Sequence, residues 1–123
     1  MRHSYLRLPV DPDRGFPQAF RMALAGRTYA IALSVTVTDD ALLDSALPLQ
    51  LPQPGAFLVL DLAREAERGT EPMVRRKLVP DLEYEVDELA LVFLDLAVHP
   101  RNLGASGAHG SRVVAGVAAR WAS

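Results

Sequence analysis

The stretch Phe20-Arg-Met22-Ala-Leu24-Ala25-Gly26-Arg27-Thr-Tyr29-Ala-Ile31-Ala-Leu33-Ser-Val35-Thr-Val37 decides the fold class. Its apolar residues return at every second position on both sides of a short Ala25-Gly26-Arg27 break, with small or polar residues between them. Alternate side chains of a strand point to opposite faces, so this period buries one face and wets the other. A helix would need recurrence near 3.6, and Thr, Val and Ile are too frequent here for one. The segment is predicted as a β-hairpin with one buried face.

The flanks extend the same theme. Upstream, Tyr5 to Val10 alternates weakly, and Pro9 and Pro12 bracket a polar turn, which suits a short edge strand. Downstream, Thr38 to Gly55 loses all period and carries Pro48, Pro52 and Pro54, predicting a long loop with at most one helical turn within 39–47. Ala56 to Ala63 is apolar apart from Asp61. A charged segment to Pro72 and the stretch Met73 to Val79 follow, read as strand, turn, strand. A helix from Leu58 to Arg68 closed by Gly69 is the alternative, since Leu, Ala, Arg and Glu form helices well. Leu82 to Val86 alternates cleanly, whereas Leu89 to Val98 is apolar on both faces, as expected of a central strand or of one covered by a neighbouring subunit. Ser111 to Ser123 fits a strand and a helix N-capped by Ser111 equally, and Gly116 weakens both. The whole is predicted as one mainly β domain over 1–123, a small antiparallel sandwich or partly open barrel of about six to eight strands.

Composition narrows the function classes. The chain has 123 residues, 23% of them charged, with a formal net charge of -2, which gives no electrostatic case for nucleic acid, so no nucleic-acid partner is expected. With no cysteine there is no disulfide framework, thiolate metal site or cysteine nucleophile. The apolar runs fall far short of the roughly 20 residues that cross a bilayer, so no membrane insertion is expected. Met1 to Tyr5 leads into prolines rather than a signal-like apolar core, which predicts a cytoplasmic protein or one belonging to a particle assembled there.

The one stretch resembling a built site is Asn102-Leu-Gly104-Ala-Ser-Gly107-Ala-His109-Gly110-Ser111. Its three glycines allow close backbone approach to a ligand or another chain, and would present His109 and Ser111. As a phosphate cradle it lacks both the P-loop ending and the dinucleotide fingerprint. A Ser-His-Asp set could be drawn from Ser106 or Ser111, His99 or His109, and Asp61 or Asp95, but no nucleophile elbow accompanies it. His3, His99 and His109 lack metal-ligand spacing. No catalytic, cofactor-binding or metal residue is therefore assigned, and no cofactor is expected. Arg75-Arg76-Lys77 and the acidic series Asp81, Glu83, Glu85, Asp87 and Glu88 are placed on adjacent strands, where opposite charges would face each other across strands or across subunits, or equally would form two solvated faces. Trp121 is either a core plug or an interface anchor. The resulting interface set is Gly104, Gly107, His109, Gly110, Trp121, Arg75, Arg76, Lys77, Glu83 and Glu85.

The pattern Gln18-x-Phe20-x-x-x-Leu24-x-Gly26-x-x-Tyr29-x-Ile31-x-Leu33 resembles the first hairpin of the small phage baseplate plug proteins, and Leu78-Val79-Pro80 is loosely similar to that family. The likeness covers the first third of the chain; the 48–54 loop and the Asn102 to Trp121 ending depart from it. It implies a β-structured subunit of a phage tail or contractile injection apparatus, with no cofactor and no catalytic residues. Surplus apolar and glycine-rich surface in so short a chain points the same way, to a non-enzymatic structural subunit whose partners are copies of itself and other assembly subunits. One alternative is a small-molecule enzyme or binding protein with a pocket lined by Tyr29, Tyr84, His99 and His109. Another is an adaptor that accepts a partner strand, marked by a long unpaired edge without Pro or Lys.

Overall fold

The computed structural model describes residues 5–120, so the expectations for His3 and Trp121 lie outside the described residues. The strands are β1 (Leu6–Arg7), β2 (Gln18–Leu24), β3 (Arg27–Val37), β4 (Leu49–Gln50), β5 (Ala56–Ala66), β6 (Gly69–Lys77), β7 (Glu83–Val86), β8 (Leu89–Val98) and β9 (Arg112–Ala119). They form two antiparallel sheets, neither closed into a barrel, which makes the domain a small sandwich. One sheet runs β2-β3-β5-β6, and the other runs β1-β9-β8-β4 with β7 also on β8. β4, which takes the count beyond eight, forms inside the proline-rich loop, where Leu49 and Gln50 pair with Val98 and Ala97. The helical turn expected in that loop is a 3-10 helix, Asp40–Asp44, capped by the Asp39 carboxylate on the Ala41 N–H.

Alternation places Tyr29, Ile31 and Leu33 of β3 and Leu58, Leu60 and Leu62 of β5 on the inner face of one sheet. They share a single buried cluster with Leu89, Leu91 and Phe93 of β8 and Val113, Ala115 and Val117 of β9. Each Val, Leu, Ile or Phe among them contributes about 1.5–3 kcal/mol by leaving water. The run Leu89 to Val98 is apolar throughout because it changes phase. Phe93 pairs with Ala115 and Asp95 with Val114, so Leu94 is the extra residue of a bulge, 51% exposed, and Leu96 and Val98 return to the core.

Segment 58–68 is not helix: it is strand to Ala66, paired with β3 and β6, and then the Glu67-Arg68 turn into β6. Of the ending, residues 112–119 are likewise a strand. Gly116 fits there because a Cβ would lie 2.8 Å from the Tyr5 Cβ, where that side chain crosses the sheet.

One expectation is overturned. β6, carrying Arg75, Arg76 and Lys77, and β7, carrying Glu83 and Glu85, belong to different sheets and are not neighbours. The chain crosses between the sheets at Leu78 to Leu82, a change of layer that charge pattern cannot reveal. The charges find other partners: Arg75 with Asp61, Glu85 with Arg120, Glu83 with the Tyr5 hydroxyl, Arg76 over the Tyr84 ring and Lys77 over Phe57.

The β2–β3 turn is two residues, Ala25 and Gly26, both at positive φ (52° and 79°), the mirror-image turn whose twist suits a hairpin. Ala25 is strained there, since an L side chain disfavours the left-handed region. Ala25→Asn should raise stability by about 0.5–1 kcal/mol, read as a higher midpoint in thermal or urea unfolding.

Candidate functional site

The glycine-rich loop is held inward. The Asn102 side chain is fully buried: its Nδ2 donates to the Gly107 carbonyl (2.9 Å), and its Oδ1 accepts from the Ser111 hydroxyl (2.6 Å). Ser111 Oγ in turn accepts the His99 N–H (2.7 Å). The loop backbone is tied to the segment before β2 by Phe16 N–H to the Asn102 carbonyl, Gly104 N–H to the Phe16 carbonyl and Gly107 N–H to the Asp13 carbonyl, each 2.7 Å. The approach is so close that a Cβ on Gly15 would meet the Ala105 carbonyl oxygen at 2.2 Å. Gly104, Gly107 and Gly110 all take positive φ, as their spacing suggests, and no helix follows for a phosphate to cap.

Beside this loop, His99 and His109 stand with ring centroids 5.4 Å apart on an open groove of about 900 Å³, bordered by Asp44, Arg101 and Leu103. Both His99 nitrogens face backbone: Nδ1 accepts the Arg101 N–H (3.0 Å), and Nε2 lies 3.1 Å from the Ala46 carbonyl. Such a ring is a bracket between loops, which is the usual role of a satisfied buried histidine. His109 takes no hydrogen bond among the described residues. The pocket expected from Tyr29, Tyr84 and both histidines is not assembled, because the two tyrosines face elsewhere: the Tyr84 hydroxyl accepts the Val79 N–H (2.7 Å), and the Tyr29 hydroxyl donates to Glu88 (2.6 Å). Among the described residues no three histidine, aspartate or glutamate side chains are grouped to hold a metal.

A different surface emerges on the outer face of the four-stranded sheet. The ladder aligns Arg21, Ala30, Ala63 and Pro72 in one row and Ala19, Ala32, Asp61 and Arg75 in the next. The alanines make a shallow apolar floor to a trough of about 770 Å³ walled by Met73. Its rims are charged: Arg21 reaches across β3 to Glu65 on β5 (Nε to Oε2 2.7 Å), and Arg75 lies 3.8 Å from Asp61. The trough was not predicted from sequence. Its only signal was that the residues alternating with the apolar row include alanines where a solvated face would carry charge.

The two sheets are clasped at the end opposite the glycine loop. Arg64 of β5 grips Glu88, in the β7–β8 turn, through Nε (2.9 Å) and Nη2 (2.5 Å), and the buried Tyr29 hydroxyl donates to the same carboxylate. The Arg64 hydrogen bonds, reinforced by Tyr29 and outweighing partial burial, hold the Glu88 carboxyl down at about 2. Burial first, then the hydrogen bond to Glu88, pushes the Tyr29 hydroxyl up to about 12.

No protein-family model, curated protein or solved structure matches the chain.

Because the folded-state value of Glu88 lies below its ordinary 4.5, the clasp contributes stability above that pH and loses it as pH falls towards 2. Glu88→Gln should lower the thermal midpoint by several degrees at neutral pH and flatten the decline between pH 4.5 and 2, as measured by circular dichroism melts across that range.

Proposed function

We propose that the chain is a structural subunit of a multi-subunit assembly, of the kind implied by the hairpin's likeness to phage baseplate plug proteins. It would meet its neighbours through the outer face of the four-stranded sheet. The observation that carries this role is the alanine floor between Arg21–Glu65 and Asp61–Arg75. A solvated sheet face normally carries polar side chains; small apolar residues inside a charged rim instead have the layout of an interface, an apolar centre with a polar border. Leu6, Leu47, Leu82 and Leu94, all more than two-fifths exposed, add sticky surface elsewhere. When the chain is expressed with the products of its flanking genes, the wild type should sediment in a multi-protein particle. Ala63→Arg, with an unchanged circular dichroism spectrum, should stay unincorporated. A wild-type chain that remains free, or an Ala63→Arg chain that enters the particle, would defeat this role.

The groove beside His99 and His109 favours a second reading, a small-molecule site, since it brings Arg101 and His109 within one concavity. An NMR titration with small carboxylates and inorganic phosphate should then shift amides of residues 99–110. Unmoved amides would remove this reading.

A further inference from the structure

Sheet edges that are not meant to pair carry devices against it: shortness, proline, lysine, a bulge or like charge. Four of the five edge strands carry at least one. β1 and β4 are two residues each; β7 is four residues long with Glu83 and Glu85 pointing outward; β6 has Pro72, a register shift after Leu62 and the run Arg75-Arg76-Lys77. β2 carries none of these: seven residues, Gln18–Leu24, regular, with neither proline nor lysine.

Its single charge does not guard it. Arg21 bends away from the open side, across Ala30, to the Glu65 carboxylate on β5. The inner row Phe20, Met22 and Leu24 packs on the core yet is only half-buried, because nothing among the described residues closes that side.

We infer that the occupant of this edge is β2 of a second copy of the chain, paired antiparallel about a two-fold axis at Phe20, so that the two four-stranded sheets become one. Three constraints select this register. The two-residue turn makes Leu24 and Arg27 a hydrogen-bonded pair, so Phe20 and Met22 also direct their backbone groups to β3, while Ala19, Arg21 and Ala23 direct theirs outward. An axis at Arg21 would set two guanidinium-bearing residues directly opposite each other, an unfavourable pairing. An axis at Met22 would set Ala19 opposite Ala25, held at φ 52° in the turn, whereas with the axis at Phe20 the corresponding ladder end is Ala23 opposite Pro17, which lies outside the strand and lacks an N–H but keeps a carbonyl. With the axis at Phe20, Ala19 and Arg21 of each copy exchange both backbone hydrogen bonds with Arg21 and Ala19 of the other. Each charge then faces a methyl group, and the Phe20 rings meet on the inner face. The alanine troughs of the two copies are thereby joined side by side.

This deepens the assembly reading and rests on it, but it is tested on the isolated full-length chain, without other gene products. Sedimentation equilibrium from micromolar to millimolar protein should give twice 13.4 kDa. Ala19→Lys, an exposed position, sets an ammonium opposite Arg21 at two symmetry-related places and should weaken the dimer by about tenfold or more. As the chain contains no cysteine, Phe20→Cys should give a covalent dimer under mild oxidation, while Leu24→Cys, far from the axis, should not. A chain that stays at 13.4 kDa throughout, a dimer indifferent to Ala19→Lys, or cross-linking at Leu24→Cys in place of Phe20→Cys would each overturn the inference. If such a chain still enters the multi-protein particle, the assembly role stands and the β2 pairing alone falls.

Discussion

Two small sheets can hide their apolar rows only against each other, and that single shared layer is the constraint on which everything else depends. It fixes the phase of each strand, because a slip of one residue would turn Ile31, Leu60 and Leu91 into water and bring their neighbours inward. Where the chain cannot keep phase it inserts a residue, at Leu94 in β8 and Met73 in β6, and the register resumes beyond. The outer faces are released from this constraint, which is why a surface as unusual as the alanine floor can exist without loss to the core.

Apolar packing does not by itself set how the sheets are aligned at their ends, and polar networks do that work. At one end Arg64, Glu88 and Tyr29 join three elements through one carboxylate. At the other, Asn102, Ser111 and the His99 backbone tie the long connection before β9 to itself, while its carbonyls and amides dock the segment before β2. Buried polar groups of this kind are costly when unpaired and directional when paired, so they specify one alignment among several that the apolar layer would tolerate. Among the described residues none of the buried side-chain nitrogens or oxygens lacks a partner.

The Arg21–Glu65 pair links the proposed role to the proposed contact. Lying across β3, it forms one rim of the trough, and by drawing the guanidinium inward it leaves the β2 edge open. Surface ion pairs contribute little to stability. This one matters through where it puts a charge, and where it removes one.

Much of the fold was legible because strand period is a local property. The β2–β3 hairpin, its Ala25-Gly26 turn, the β5–β6 strands, the 39–47 helical turn and the positive-φ glycines of 104–110 all follow from residue order and backbone sterics. What the order could not supply was which strands become neighbours: the charged segments 75–77 and 83–85, adjacent in sequence, were sent to different sheets. Tyr29 was read as a pocket residue, but the turn at Glu88, 59 positions away, makes it part of a clasp. The trough was invisible because alanines on three strands mean nothing until the register aligns them. The sequence by itself determined the strands and the face each one buries, since alternation and turn chemistry act within a few residues. Only the tertiary structure decided the sheet order, the polar clasps and the open edge, since these depend on backbone pairing between residues far apart along the chain.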